Sequence, residues 1–315
     1  MLHNGIGPDP TAEKAMTIDS KVTALSVALD DYPHTLPLKN GSVRSSRLAL
    51  SFSDIRPANR FFKPMVRELK FDVSEMAIAT YVQAKAYGKP LVLLPATMMG
   101  RFQHGTLLCR KAQPLTPADL PGARVGVRSY SQTTAVWVRG ILQNDYGVDT
   151  NRIRWVTFED GHVAEYHEPS GVERAAGDKN LLKMLREGEL DGAIYGADLP
   201  DDPNLTTVIA DSATAAQRWY ARRRVVPINH MVVVTEKLAN SNPDAVAEVY
   251  GLLAQSKAAT IGAADSAEID FLPFGFEACR PALETVIGYA LQQSLIPRKI
   301  EVADLFNATT RTLVS

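Results

Sequence analysis

The sequence predicts an α/β protein of two lobes, each a mainly parallel sheet flanked by helices, with a ligand cleft between them. Three observations predict it. Strand-like and helix-like segments alternate along most of the 315 residues, the pattern of parallel strands joined by helical crossovers. The pattern restarts near the middle of a chain whose length suits two moderate domains better than one core. One short unit also recurs, once in each half: Arg67-Glu-Leu-Lys-Phe-Asp72 and Arg186-Glu-Gly-Glu-Leu-Asp191 share a helix end, a turn and a hydrophobe–Asp strand start.

The elements follow in order. Val22 to Leu29 is rich in β-formers and stops at the loop signal Asp30-Asp31-Tyr32-Pro33-His34, and Arg47 to Phe52 reads as a second strand. Asn59 is placed to cap a helix over Arg60 to Leu69, Phe71-Asp72-Val73 begins a strand, and Ser74 to Tyr87 reads as the helix after it. Leu91 to Met99 is apolar but short and broken by Pro95, so it reads as a buried strand and not as a membrane span. Leu107 to Cys109 and Met231 to Val234 read as strands too. In the middle, Thr116 to Gly122 is a short turn-rich helix, Arg124 to Val127 a strand, and Gln132 to Tyr146 a helix after the loop Arg128 to Ser131. Arg154 to Phe158 is a strand, followed by a polar stretch through Gly177. Leu181 to Arg186 is a helix stopped by Gly188, and Leu190 to Tyr195 a strand. Pro243 to Thr260 carries Val246, Val249, Leu252 and Leu253 on one stripe, and Pro281 suits the first turn of a helix running to Gln293. These last helices are expected to pack back on the first lobe.

Composition narrows the function. With 34 basic and 35 acidic residues the formal net charge is −1, which argues against partners that demand a basic excess: no nucleic acid and no membrane surface. Basic groups must then act locally, on small anions. Two cysteines, Cys109 and Cys279, make neither a disulfide framework nor a cysteine-rich zinc site and read as buried thiols. Residues 1–20 contain no apolar run of the kind a secretory signal needs, so they read as a flexible N-terminal segment of a cytoplasmic protein.

Four stretches carry a resemblance. They are Phe71-Asp-Val-Ser-Glu-Met76; Arg124-Val-Gly-Val with Thr133-Thr-Ala-Val-Trp-Val-Arg-Gly-Ile-Leu142; Tyr220-Ala-Arg-Arg-Arg-Val-Val-Pro-Ile-Asn-His230; and Glu277-Ala-Cys-Arg-Pro-Ala-Leu-Glu284 with Pro297-Arg-Lys-Ile and Asp304-Leu-Phe306. Together they resemble the 4,5-dihydroxyphthalate decarboxylase family, from about Val22 to Thr310. That resemblance implies a type II periplasmic-binding-protein-like fold, and an enzyme that removes one carboxylate from a small anionic aromatic substrate. It also implies two hinge strands, Thr106 to Lys111 and His230 to Lys237. The lobes would then be residues 21–110 plus 230–315, and residues 111–229. The loop after the first strand and the stretch Asp160 to Asp178 depart from the family pattern, which leaves the ring substituents open.

Decarboxylating an aromatic acid requires anchors for carboxylates, a proton donor working near neutral pH, and a partly desolvated cleft. Ser131, Thr133 and Thr134 open a helix after a strand, where hydroxyls and free backbone amides converge on an anion; an ordinary N-cap by Ser131 is the plainer reading. Arg139, further along that helix, is expected to be a second carboxylate contact. His104 and the neighbouring Arg101 stand at the mouth of the first hinge and His230 at the start of the second, so the two imidazoles are expected to meet at the cleft floor as acid candidates. Glu75, at a strand end, is expected to orient a histidine or touch a ring hydroxyl, against the alternative of an exposed helix-start carboxylate. Arg223, central in the basic run Arg222 to Arg224, is placed to close over a dicarboxylate, and His34 to face the cleft. His162 and His167 lack the spacing of a metal pair, and no phosphate loop, nucleotide fingerprint or serine elbow is present. The expectation is therefore catalysis with no metal and no cofactor.

Two other functions compete. One is a non-catalytic solute-binding protein for a small aromatic or anionic ligand, against which the missing signal segment weighs. The other is a biosynthetic enzyme of the same fold, such as those of menaquinone or thiamine-pyrimidine synthesis, the latter disfavoured by the absent cysteine-rich iron motif. The sequence leaves the oligomeric state open, a homo-oligomer included.

Overall fold

The computed structural model describes residues 22–261 and 269–314, so the expected N-terminal segment, residues 1–20, lies outside the described residues. The chain runs β1 (Thr23–Ala28), α1 (Leu36–Lys39), β2 (Leu48–Phe52), α2 (Asn59–Glu68), β3 (Val73–Ala77), α3 (Ile78–Ala86), β4 (Leu91–Gly100), β5 (Leu107–Arg110), β6 (Arg124–Val127), α4 (Thr133–Tyr146), β7 (Arg154–Thr157) and β8 (Glu173–Arg174). It continues through α5 (Leu181–Glu187), β9 (Gly192–Ile194), β10 (Leu205–Thr207), α6 (Ser212–Arg223), β11 (Ile228–Thr235), α7 (Glu236–Ser241), α8 (Pro243–Ile261), α9 (Phe276–Gln292) and α10 (Ala308–Arg311).

Two sheets result, ordered β2-β1-β3-β11-β4 and β10-β5-β9-β6-β7-β8. Within each, one strand is reversed against its neighbours: β11 runs antiparallel to β3 and β4, and β5 antiparallel to β9 and β10. The reversed strands are the ones by which the chain enters each lobe from the other. Sheet membership also shifts the crossings from their expected places. Strand β5 pairs entirely within the second sheet, so the outward crossing is residues 101–106, not Thr106 to Lys111, and the return strand already begins at Ile228.

The recurrent hexapeptide has a structural meaning. Leu69 and Gly188, third in their units, both end a helix in the left-handed region, at φ 53° and 83°. Three residues later an aspartate ties its strand to a parallel neighbour. Asp72 accepts from the Ser26 amide at 2.8 Å, and Asp191 from the Arg124 amide at 2.7 Å. Glycine adopts the left-handed C-cap at no steric cost, whereas Leu69 does so against its own Cβ.

Several boundaries move for physical reasons. Residues Ser74 to Ala77 continue β3 instead of starting a helix, because that strand is buried on both faces and needs no polar–apolar alternation. Asn59 is the first helical residue of α2, and Ala58 takes the cap position without a side-chain bond. Helix α9 starts at Phe276, which leaves Pro281 inside it and not in its first turn.

Helix α9 also does more than cover the first lobe. It packs on both α3 and α4, joining the lobes through one continuous apolar cluster. Tyr289 of α9 stacks edge-on against Trp137 at 5.7 Å, and Gly140 of α4 lies so close to that tyrosine ring that a Cβ at this position would overlap it. Gly140→Ala should therefore lose stability despite alanine's better helix propensity. Overpacking of this kind costs ~1–3 kcal/mol, seen as a lower midpoint in thermal or urea unfolding with the slope unchanged.

Candidate active site

The strand order places the carboxyl ends of β1, β3, β6, β7 and β9 along one crevice between the lobes, where α/β sheets collect ligands. The loops from those ends enclose a cavity of about 660 Å³. The first lobe contributes Asp30, Tyr32, Phe62, Ala77 and Thr80; the second contributes Arg128, Gln132, Thr133, Thr134, Phe158, Glu159, His162 and the run Ile194 to Asp198. Met99, Arg101, Asn229 and His230 lie at or beside the two crossings and form its floor.

His230 and Glu75 form the site's central pair. The His230 Nδ1 lies 2.6 Å from Glu75 Oε1, which also accepts from the Tyr32 hydroxyl at 2.7 Å, while Oε2 accepts from the Asp30 amide at 3.0 Å. Glu75 is wholly buried in β3. Burial alone would push its carboxyl up, but the His230 bond and charge, the Asp30 amide and the Tyr32 hydroxyl outweigh it and hold Glu75 below the usual carboxylate range. Burial and the Glu75 charge push the Tyr32 hydroxyl well above its ordinary value, so it stays a donor. The imidazole is thus held at Nδ1 by an anion, and its Nε2 has no protein partner among the described residues. Phe62 packs edge-on against the same ring at 5.0 Å.

The anionic end of a ligand would meet three features. Arg101 is half-buried, gives one bond to Thr134 Oγ1 at 3.2 Å, keeps an unpartnered Nε, and is in no salt bridge among the described residues. Burial pulls its pKa down, opposed by the Asp198 charge, yet a guanidinium stays charged, and with no carboxylate at salt-bridge distance it can take an anion. Arg128 Nε stands 3.9 Å from Glu159 Oε2, an ion pair without a hydrogen bond. The first turn of α4, from Thr133, opens on the cavity with no side-chain cap.

The second lobe is fastened over this site from the first. Arg67 donates to the carbonyls of His162 and Gly161 at 2.8 and 3.1 Å, Lys89 pairs with Glu165 at 2.6 Å, and Thr80 Oγ1 meets His162 Nδ1 at 2.7 Å. Burial, then the charges of Arg128, Lys63, Arg67 and His230, push His162 down to about 3, so it faces the cavity as a neutral imidazole.

Of the residues singled out from the sequence, the structure brings His230, Arg101, Thr133 and Thr134 together around the cavity, with Glu75 directly behind His230. The others stand elsewhere. His104 does not meet His230 at the cleft floor. It is buried against Trp219 at 5.8 Å with both nitrogens unpartnered, and burial pushes it down to about 4, so at neutral pH it is the neutral imidazole and not the imidazolium a general acid needs. Ser131 is buried outside the cavity lining, and Gln132 takes the cap position of α4 in its place. Arg139 is fully buried, donates to Gln293 Oε1 at 2.7 Å and the Tyr130 carbonyl at 2.6 Å, and lies over the Tyr130 ring; it ties α4 to the segment after α9. Arg223 pairs with Asp145 at 2.9 Å on the outer surface. His34 stacks behind Tyr32 at 5.1 Å and is lowered by burial. Among the described residues no cluster of three or more metal-ligating side chains occurs, and His167 is exposed and apart from His162.

Tyr32, Phe62, Arg128, His162 and Asn229 were not among the expected site residues. Asn229 carried a signal as the neighbour of His230, Arg128 as the start of the loop into α4, and His162 only as a rejected metal ligand; Tyr32 and Phe62 had no local mark of a role in the site.

No family model matches the chain. It is 32% identical over 233 residues to a 4,5-dihydroxyphthalate decarboxylase of Comamonas testosteroni, covering 70% of each chain. A second 4,5-dihydroxyphthalate decarboxylase, of Pseudomonas putida, is 30% identical over 210 residues, covering 62% of this chain and 81% of the relative. Among solved structures, the periplasmic aliphatic sulphonate binding protein SsuA of Escherichia coli superposes with a TM-score of 0.58 at 12% identity, over 90% of this chain and 97% of that one. That likeness shows the two-lobed periplasmic-binding-protein fold. No helix among the described residues is long and apolar enough to cross a membrane.

Proposed function

The chain belongs to the 4,5-dihydroxyphthalate decarboxylase family, and on that premise we propose that it decarboxylates a small hydroxylated aromatic acid such as 4,5-dihydroxyphthalate, with His230 as the proton donor. The observation that carries the reading is the buried Glu75–His230 pair facing a cavity whose Arg101 has no carboxylate of its own. The cation serves binding; an imidazole held at one nitrogen by a buried anion, with the other nitrogen free, is suited to act as a general acid.

The chemistry balances with these groups. Arg101, Arg128 and the first turn of α4 hold the carboxylates. A ring hydroxyl para to the reacting carbon pushes electron density towards it, and the His230 imidazolium gives that carbon the proton from Nε2. The bond to the carboxylate then breaks, its electron pair restores the aromatic ring, and carbon dioxide leaves. Neutral His230 regains its proton from solvent. Phe62 and the fastened second lobe limit water at the reacting face.

The test is to incubate the pure protein with 4,5-dihydroxyphthalate and with ring isomers, following carbon dioxide release and the change in ultraviolet spectrum. Stoichiometric carbon dioxide with a monocarboxylic product supports the reading. Tight binding with no release over many binding lifetimes overturns it in favour of a solute-binding protein.

A further inference from the structure

Asn229 sits beside His230 in β11, yet both residues line the cavity, although successive residues of a regular strand face opposite ways. The pairing of β11 with β4 explains it. Ile228 lies opposite Gly100 and His230 opposite Met99, so two steps along β11 match one along β4, and Asn229 is the extra residue of a bulge. A bulge of this kind re-aims a side chain at a functional site.

The polarity of the Asn229 amide can be read from its neighbours. Gln103, fully buried in the outward crossing, has its Nε2 at 2.8 Å from the Arg101 carbonyl. A carbonyl only accepts, so that Gln103 atom must be the donor. The same Nε2 is 2.8 Å from Asn229 Oδ1. The Asn229 oxygen is thereby committed to Gln103, and its Nδ2 has no acceptor among the described residues, in a residue that lines the cavity. Asn229 as a whole is only 2% exposed, so its amide donors, which no protein acceptor takes, are available to an acceptor on a ligand that fills the cavity.

We infer that Asn229 is a substrate-binding residue which donates to the carboxylate lying next to His230, its amide held in the donating orientation by Gln103. The inference rests on the decarboxylase reading for the identity of that carboxylate. It assigns Asn229 the task of placing the scissile group beside the acid, and assigns Gln103 and the bulge the task of keeping a donor there.

Asn229→Asp and Asn229→Ala separate this role from a structural one. An aspartate can still accept from Gln103, so the crossing stays tied, but it presents an acceptor to the cavity. Alanine leaves one N–H of Gln103 unmatched but repels nothing. Stability, read as the unfolding midpoint, should fall further in Asn229→Ala than in Asn229→Asp. Affinity should follow the opposite order. Calorimetry with phthalate, which lacks the electron-releasing hydroxyls, and with 4,5-dihydroxyphthalate should show a loss of roughly tenfold or more in Asn229→Ala and a larger one in Asn229→Asp. Affinity that tracks stability, or an Asn229→Asp variant within twofold of the parent, overturns the inference. If the parent binds these diacids but never turns them over, the decarboxylase reading fails while the Asn229 result still decides the binding role. If the parent binds neither, both fail.

Discussion

Replacing His230 by asparagine is expected to lower kcat by ~10²–10⁴-fold, the usual contribution of a positioned general acid, while substrate affinity changes by only severalfold. Asparagine is smaller than imidazole and keeps an N–H that can reach Glu75, so the buried carboxylate retains a partner, but it has no proton to give the ring. The parent enzyme should show a solvent deuterium effect on kcat from transfer of the His230 proton to the ring carbon; the variant should not. Equal turnover in the His230→Asn variant would end the histidine-acid mechanism. His104 serves as the internal comparison. It is buried against Trp219 and outside the cavity lining, so His104→Asn should leave kcat close to the parent's and register mainly in stability.

Glu75→Gln should have an effect of similar size, again ~10²–10⁴-fold in kcat, by a different route. The glutamate accepts from His230, Tyr32 and the Asp30 amide at once, leaving no place for a side-chain N–H. A glutamine must turn its NH₂ towards one of those donors and removes the anion beside the imidazolium. The loss should fall on kcat and leave substrate affinity within severalfold, and that split separates loss of the charge from collapse of the site.

The same residue predicts how stability depends on pH. The Glu75 carboxyl is depressed in the folded protein relative to its unfolded value near 4.5. Its contribution is thus complete above that unfolded value and is lost as pH falls through the depressed folded one, because below about 4.5 the unfolded chain binds the extra proton first. Denaturant titrations of parent and Glu75→Gln should therefore differ most near neutrality and converge on acidification. A constant difference down to about pH 3 would mean that Glu75 is not ionised in the fold.

Much of the architecture was legible locally. Apolar strands bounded by turn residues, periodic helices and the recurrent hexapeptide are short-range signals, since a left-handed helix end followed by a strand-start aspartate is settled within a few residues. Boundaries failed where burial was two-sided. Ser74 to Ala77 carries no alternation because β3 is covered on both faces, so its pattern matches a buried helix as well as a strand.

By itself the sequence determined the α/β class, the two-lobed plan, the family, and His230, Arg101 and Thr133 as candidates that the cavity brings together. It determined them because a strand, a helix start or a motif is written in neighbouring residues. Only the tertiary structure decided which charged groups are free to act. Arg101 and Arg139 are equally basic in sequence. The fold commits the second to Gln293 and the Tyr130 carbonyl, and leaves the first facing the cavity without a carboxylate. His104 and His230 are likewise both candidate acids until packing buries one against Trp219 and sets the other on Glu75, 155 positions away. Ionisation and availability depend on desolvation and on partners distant in sequence, and those exist only once the chain has folded.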